Sequence, residues 1–225
     1  TGGGTISNTI NFTVNSNAIL GFATENDAIT GGGAFTLSSG ATLQVSAVAG
    51  ITSSGATGQV QVTGTRTFNA AANYIYNGTS AQVIGNGWTT GNNLTINNTA
   101  GVTLSGNTTV NGTVTLTAGA LSATSFNLTV GGNWVNNGGS LTGGTGKVIM
   151  SGATGTIGGT TSTSFAGLTI DAGSAYTLSN SNSAETIVVG DTATAGASSL
   201  TLSNGTTLTV SGTTYICRPG GAARR

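Results

Sequence analysis

The side chains that could perform acid–base or metal chemistry are few in this sequence. Only two pairs of carboxylates lie close together along the chain, Glu25 with Asp27 and Glu185 with Asp191, while Asp171 stands alone. Such pairs could serve a glycosidase or a calcium-dependent lyase. However, a β-helical lyase would need a cluster of acidic calcium ligands and several basic groups. A chain with five acidic residues and one lysine favours solvated carboxylates in turns instead.

Histidine, the commonest general base, is absent. Ser-His-Asp and Cys-His-Asn triads are therefore impossible within this chain. Cys217 is the single cysteine, so no intrachain disulfide can form. We predict that the protein is not an enzyme, and that it has no catalytic residue, no cofactor and no metal site.

Aromatic side chains could bind a ligand without acid–base chemistry, by stacking on sugar rings. The candidates for such a glycan-stacking platform are Tyr74, Tyr76, Trp88 and Trp134. Aromatic residues in a β-rich chain are also common fillers of the core and of corners. The sequence alone leaves both interpretations open.

The low charge excludes some partners. Charged residues make up 4% of the chain and the formal net charge is zero, so the basic surface that nucleic-acid binding requires is missing. No apolar run reaches the ~18 residues of a membrane span. Residues 1–4 have neither the basic start nor the apolar segment of a signal peptide, and we expect the sequence to begin at a processed or trimmed end.

The elements that must position these side chains are short strands. Triplets of apolar–Thr–apolar type recur along the chain, for example Val102-Thr103-Leu104, Leu128-Thr129-Val130 and Leu208-Thr209-Val210. Because alternate side chains of a strand face opposite sides, each triplet points two apolar groups inward and a threonine outward. Connectors such as Asn77-Gly78 and Asn111-Gly112 indicate tight turns. This pattern predicts an all-β chain.

Two internal repeats indicate how the strands are arranged. Residues 74–96 align without a gap on residues 148–170, and FTLSSGATLQV (35–45) matches LTLSNGTTLTV (200–210) at seven of eleven positions. Repeats of short, closely spaced strands favour a parallel β-helix, or β-solenoid, in which each coil packs on its neighbours. At ~20 residues per coil the chain would make roughly ten coils, in a rod ~50 Å long. The alternative is a row of β-sandwich modules of about 74 residues.

The repeats also suggest a division of the chain. We predict an N-terminal cap or strand-donor segment over 1–33, a β-solenoid repeat domain over 34–216, and a basic C-terminal tail over 217–225. The tail contains three of the four arginines and the only proline.

The segment from about Gly40 to Gly132 resembles the repetitive secreted and surface proteins of Bacteroidota-type bacteria that are often called β-strand-repeat proteins. The resemblance is carried by NNLTINNTAGVTLSGNTTVNGTVTLTAGAL, by LTVGGNWVNNGG and by the preceding stretch that ends in YIYNGTSAQVIGNG. It implies an exported, adhesin-like or matrix protein without a defined chemistry. Asp191-Thr192-Ala193 is similar to the short O-glycosylation acceptor of such proteins, which makes Thr192 a candidate O-glycosylation site.

The expected function follows from the open ends of such a solenoid. With little charge to block strand edges, we expect a structural protein of the cell surface that self-associates into a fibre or surface layer. The alternative is an adhesin or stalk domain that binds glycan or another surface. A third interpretation is ice binding, because Thr-x-Thr spacing occurs at 63–67, 113–117 and 207–209. Ice recognition would need this spacing at one fixed position in successive coils.

Overall fold

The computed structural model describes residues 3–190 and 197–217 of the chain, and over these residues it contains strands and no helix. A helix long and apolar enough to cross a membrane is therefore absent from the described residues. The strands are β1 (Thr5–Asn8), β2 (Phe12–Val14), β3 (Ile19–Gly21), β4 (Ala28–Gly31), β5 (Phe35–Leu37), β6 (Thr42–Val45), β7 (Arg66–Phe68), β8 (Asn73–Tyr76), β9 (Gln82–Val83), β10 (Thr90–Gly91), β11 (Leu94–Asn97), β12 (Val102–Thr103), β13 (Thr108–Val110), β14 (Val114–Ser122), β15 (Leu128–Val130), β16 (Trp134–Asn136), β17 (Gly139–Thr142), β18 (Val148–Met150), β19 (Thr154–Gly159), β20 (Ser164–Ile170), β21 (Ala175–Leu178), β22 (Asn182–Val189), β23 (Ser199–Leu202), β24 (Leu208–Val210) and β25 (Thr214–Ile216).

The strands form a parallel β-solenoid of about nine turns. Each strand pairs in parallel with strands of the neighbouring coils, and in the middle of the chain the paired residues are 20 positions apart, as in Tyr74, Leu94, Val114 and Trp134. The predicted fold is thus confirmed. Tandem β-sandwich modules are excluded, because a sandwich is built from antiparallel strands.

Three sheet faces follow one another around each coil. The first contains β2, β5 and β7 in the N-terminal coils. In the later coils it contains β10, β13, β15, β18, β20 and β22. The second is the longest and runs from β3 to β23. The third contains β9, β12, the C-terminal half of β14, and β17. Long strands turn a corner between faces: residues 182–184 of β22 pair with β24, whereas residues 187–189 pair with β25.

The inward columns of these faces form one continuous apolar core. In Leu128-Thr129-Val130 the two apolar side chains are fully buried and the threonine between them is only partly exposed, as the alternation predicts. Burial of a side chain of this size contributes about 1.5–3 kcal/mol. The repeated coil therefore has one dominant source of stability, which is the contact of each inward residue with its equivalents one coil away.

The 74-residue repeat does not correspond to a whole number of coils. It aligns β8 with β18, and β11 with β20, although β8 and β11 lie in the second face and β18 and β20 lie in the first. The unit of the internal repeat is consequently about one coil, from a strand to its partner in the next coil, and it begins on the second face at β8 and on the first face at β18. It is not a module of 74 residues.

One coil is longer than the others. Phe35 pairs with Arg66, 31 residues later, and the extra residues form a loop around 52–58 on the side of the solenoid. The guanidinium of Arg66 donates hydrogen bonds to the carbonyl oxygens of Val62, Thr52 and Gly55 and to the Thr52 hydroxyl. The only arginine before the C-terminal tail therefore holds this loop against the coil.

The described part of the predicted segment 1–33 has the same parallel pairing as the rest of the chain. Strand β1 pairs with β4, β2 with β5, and β3 with β6. Strands β1, β2 and β3 form the first coil, and a role as strand donor to another subunit stays a prediction. Of the predicted tail, only Cys217 is among the described residues.

Candidate functional site

The four aromatic residues that could have formed a glycan platform lie inside the solenoid. Tyr74, Tyr76 and Trp134 are fully buried and Trp88 is 5% exposed. The Tyr74 and Trp88 rings stack with centroids 4.2 Å apart. A buried ring offers no face to a sugar, so the structure corrects the expectation that these residues bind glycan.

Hydrogen bonds explain why these amphipathic rings fit the core. The Trp88 indole N–H donates to the Tyr76 hydroxyl at 2.9 Å, and this hydroxyl donates to the Ile84 carbonyl at 2.7 Å. Burial raises the pKa of the Tyr76 hydroxyl far above its usual value. In a later coil the Trp134 indole N–H donates to the Thr163 hydroxyl at 3.0 Å. The polar atoms of the rings are thus satisfied internally, as buried Tyr and Trp require.

The described carboxylates Asp27, Glu25 and Glu185 line different depressions of the surface. Asp27 accepts hydrogen bonds from the amides of Gly4 and Thr24, each at 2.7 Å. The hydrogen bond from the Thr24 amide has the largest effect and that from Gly4 the next largest, and both lower the pKa of Asp27 below its ordinary value. Glu25 lines a separate depression, so the two acids are not brought together. No group of three His, Cys, Asp or Glu side chains that could hold a metal occurs within 3–190 and 197–217.

The candidate O-glycosylation residue Thr192 and its neighbour Asp191 lie outside the described residues. No distance between Glu185 and Asp191, the second pair of acids, therefore enters the description of the site. The described member, Glu185, lies beside a small depression that Lys147 also lines.

Outward threonines form single columns, not the double columns that Thr-x-Thr recognition needs. On the first face Thr109 pairs with Thr129, which pairs with Ile149. On the second face Thr115 of the 113–117 motif lies between Thr95 and Val135. The Thr-x-Thr spacing of β14 is not repeated in the coils on either side of it.

Sequence reasoning missed the structural role of asparagine. The side-chain oxygen of Asn93 accepts a hydrogen bond from the amide of Thr113 at 2.8 Å, and that of Asn107 accepts from the amide of Asn127 at 2.9 Å. Each bond ties one coil to the next outside the regular strand ladder. The available signal was the recurrence of asparagine one coil length apart, as at Asn107 and Asn127. In the sequence, however, asparagine indicated only tight turns such as Asn77-Gly78 and Asn111-Gly112.

The N-terminal end of the solenoid exposes apolar side chains and strand edges. No strand among the described residues pairs with the outer edges of β1, β2 and β3. Ile6 in β1 is 53% exposed and Ile19 in β3 is 65% exposed. A depression of about 380 Å³ lies between β1, β3 and the start of β4, and its lining includes Ile6, Leu20, Phe22 and Asp27.

The C-terminal end has the same character. Within the described part of the chain, β23, β24 and β25 have partners on one side only. Leu202 in β23 is 44% exposed and Ile216 in β25 is 57% exposed. Leu202 continues the inward column of Leu178, and Ile216 continues that of Val189.

Within 3–190 and 197–217, the strands at both ends lack the usual protection of strand edges. Soluble proteins block exposed edges with charged residues, proline or a covering element. The six terminal strands read TISN, FTV, ILG, SLTL, LTV and TYI, and contain neither a charge nor a proline. Chemically, such an end can extend its sheets by accepting further strands and can bury its exposed apolar groups against them.

Comparison of the chain with protein-family models, with curated proteins and with solved structures finds no match.

Proposed function

We propose that this chain is a structural protein of the cell surface that self-associates through the ends of its solenoid into a fibre or surface layer. The observation that carries the proposal is the pair of terminal coils, whose strand edges are uncharged, free of proline and flanked by exposed isoleucine and leucine side chains.

Two physical arguments support association through these ends. Pairing of strand edges satisfies backbone groups and removes apolar surface from water, at about 25 cal/mol per Å² of apolar area. In addition, a formal net charge of zero leaves little long-range repulsion between copies. Because each copy has two such ends, association through both of them generates filaments.

The extracellular location is supported by the sequence resemblance to secreted and surface repeat proteins. The glycan-binding alternative has lost the four aromatic residues on which it depended. Ice binding lacks a repeated Thr-x-Thr column on the second face. Neither glycan binding through these residues nor ice binding therefore has a structural observation in its favour, and attachment to another surface stays the alternative.

Negative-stain electron microscopy and light scattering over a range of protein concentrations test the proposal. We expect the wild-type chain to form filaments or sheets. A variant with a glutamate at both ends, Ile6→Glu with Ile216→Glu, should remain monomeric, because each substitution places a charge on a terminal coil.

A matched control is Val83→Glu. Val83 is 38% exposed in β9, on the side of the solenoid, where β9 pairs with β12 and the Val83 amide donates to the Val48 carbonyl. This variant should assemble like the wild type. A wild-type chain that stays monomeric at high concentration contradicts the proposal. The proposal is also contradicted if Val83→Glu prevents assembly while the variant with glutamates at both ends still assembles.

A further inference from the structure

We infer that the contact between copies is head-to-tail: the N-terminal end of one solenoid receives the C-terminal end of a second copy of this chain. The inference rests on the proposed self-association and specifies which surfaces meet.

Strand direction is the first argument. Every strand pair among the described residues is parallel, from β1 with β4 at one end to β22 with β25 at the other. A copy stacked head-to-tail presents its strands in the same direction and continues this ladder. A copy turned end over end presents them antiparallel, an arrangement that no sheet in the described chain contains.

The shapes of the ends give the second argument. Ile6 lies over Ile29, a fully buried residue, so it is the last member of an inward column at the N-terminal end. Leu202 and Ile216 are last members of such columns at the C-terminal end. The N-terminal end also has the depression of about 380 Å³, whereas the C-terminal end presents exposed apolar side chains that can enter it.

Charge is the third argument. Glu25 and Asp27 lie in the first coil, and Asp27 lines the depression. Contact between two N-terminal ends would bring two copies of these acids together, which is unfavourable. The described C-terminal coil, residues 197–217, contains no acidic residue, and in the sequence it is followed directly by Arg218. Charge therefore favours contact between unlike ends.

Two variants that each block one end provide the test. The first carries Ile6→Glu, at a residue that lies over the buried Ile29, and leaves the C-terminal end intact. The second carries Leu202→Glu and Ile216→Glu and leaves the N-terminal end intact. All three positions are between 44% and 57% exposed, so the substitutions bury no charge within the monomer. Circular dichroism of each variant checks that its β structure matches the wild type.

Head-to-tail contact predicts that each variant alone is monomeric by light scattering and that an equimolar mixture doubles in mass, because one intact end of each kind is present. Dimers of either variant alone would overturn the inference while leaving self-association standing. The inference also fails if the wild type assembles and the mixture does not. A monomeric wild type would remove the proposed function and the inference together.

Cys217 allows a second measurement on the unaltered chain. It is the only cysteine and directly follows β25 at the C-terminal end. In wild-type assemblies treated with a short bismaleimide, head-to-tail contact keeps these thiols apart by the length of a solenoid. We therefore expect less than a tenth of the chains to become covalent dimers, and efficient dimer formation would overturn the inference.

Discussion

Residues 35–45 and 200–210 have nearly the same sequence and the same local structure, yet they differ in burial. Both segments form strand–turn–strand units, and their turn glycines have matching conformations, with φ of 74° at Gly40 and 77° at Gly205. Leu37 in the first unit is fully buried, whereas Leu202 at the equivalent position is 44% exposed. The first unit lies between two coils, but the second has a described neighbour on one side only.

The difference shows that the sequence of a coil determines its path, while its neighbours determine its burial. An apolar–Thr–apolar triplet specifies which side chains point inward wherever it occurs. Whether those side chains leave water depends on the presence of a coil on each side, as expected of a solenoid with nearest-neighbour interactions. The end coils are thus ordinary coils that lack one neighbour, and a second copy of the chain can supply it.

The largest expected effect is a difference in unfolding free energy between alanine substitutions of the equivalent leucines in units 35–45 and 200–210. Leu37→Ala removes a fully buried side chain and should lower the free energy of unfolding by about 2–5 kcal/mol. Leu202→Ala removes a half-exposed side chain and should cost less than about 1 kcal/mol. Chemical denaturation of the monomer measures both, and equal losses would contradict the view that neighbouring coils determine burial.

A smaller effect should be the same in both units. Gly40→Ala and Gly205→Ala each place a Cβ atom at a left-handed backbone position, which costs roughly 1–2 kcal/mol for an alanine. A Cβ at Gly205 has open space around it, and one at Gly40 has a single close neighbour, the Ser16 hydroxyl at 3.0 Å, with Asn17 atoms at 3.8 and 4.0 Å. Since the strain arises within the turn, we expect similar losses of unfolding free energy. A loss confined to Gly40 would show that the turn depends on the neighbouring coil.

The smallest expected effect is a response to pH that is larger in the first coil than in the C-terminal coil. The pKa of Asp27 is lowered by the amides of Thr24 and Gly4, so ionised Asp27 stabilises the first coil above its unfolded pKa of about 3.9. This contribution is lost as the pH falls through the lower, folded pKa. Amide chemical shifts measured by NMR between pH 5 and pH 2, a range set roughly by that pKa, should change at Gly4 and Thr24.

The control for this titration is Asp27→Asn, which should remove the pH dependence at both amides. The described C-terminal coil has no carboxylate of its own, so its amide shifts should change less than those of Gly4 and Thr24 over the same range. An equal response at residues 214–216 would contradict the assignment of the effect to Asp27.

Much of the fold could be predicted from the sequence, because the triplets and turn glycines are local signals that repeat. The third face could not be recognised in this way, since several of its strands are short or are halves of longer strands that turn a corner, as in β14 and β22. The 74-residue alignment was a real similarity between two coils, but it could not show that the two coils begin on different faces.

The candidate sites were harder to predict than the fold. Tyr76 and Trp88 have the composition of a ligand platform, and only their mutual hydrogen bond reveals a core pair. The exposed ends were predictable as a consequence of the solenoid. Which residues are exposed there, such as Ile6 and Ile216, depends on which strands begin and end the described stack, and the sequence pattern does not specify this.

The loop held by Arg66 has a consequence for how this protein can vary. A coil that is 31 residues long stacks in register on coils of ordinary length, because the extra residues leave the stack at a corner and return to it. Such a corner is a natural insertion point, where new sequence can be displayed on the side of a rod without disturbing its packing. In an assembled fibre, each copy would then present that insert once, at a spacing set by the length of one chain.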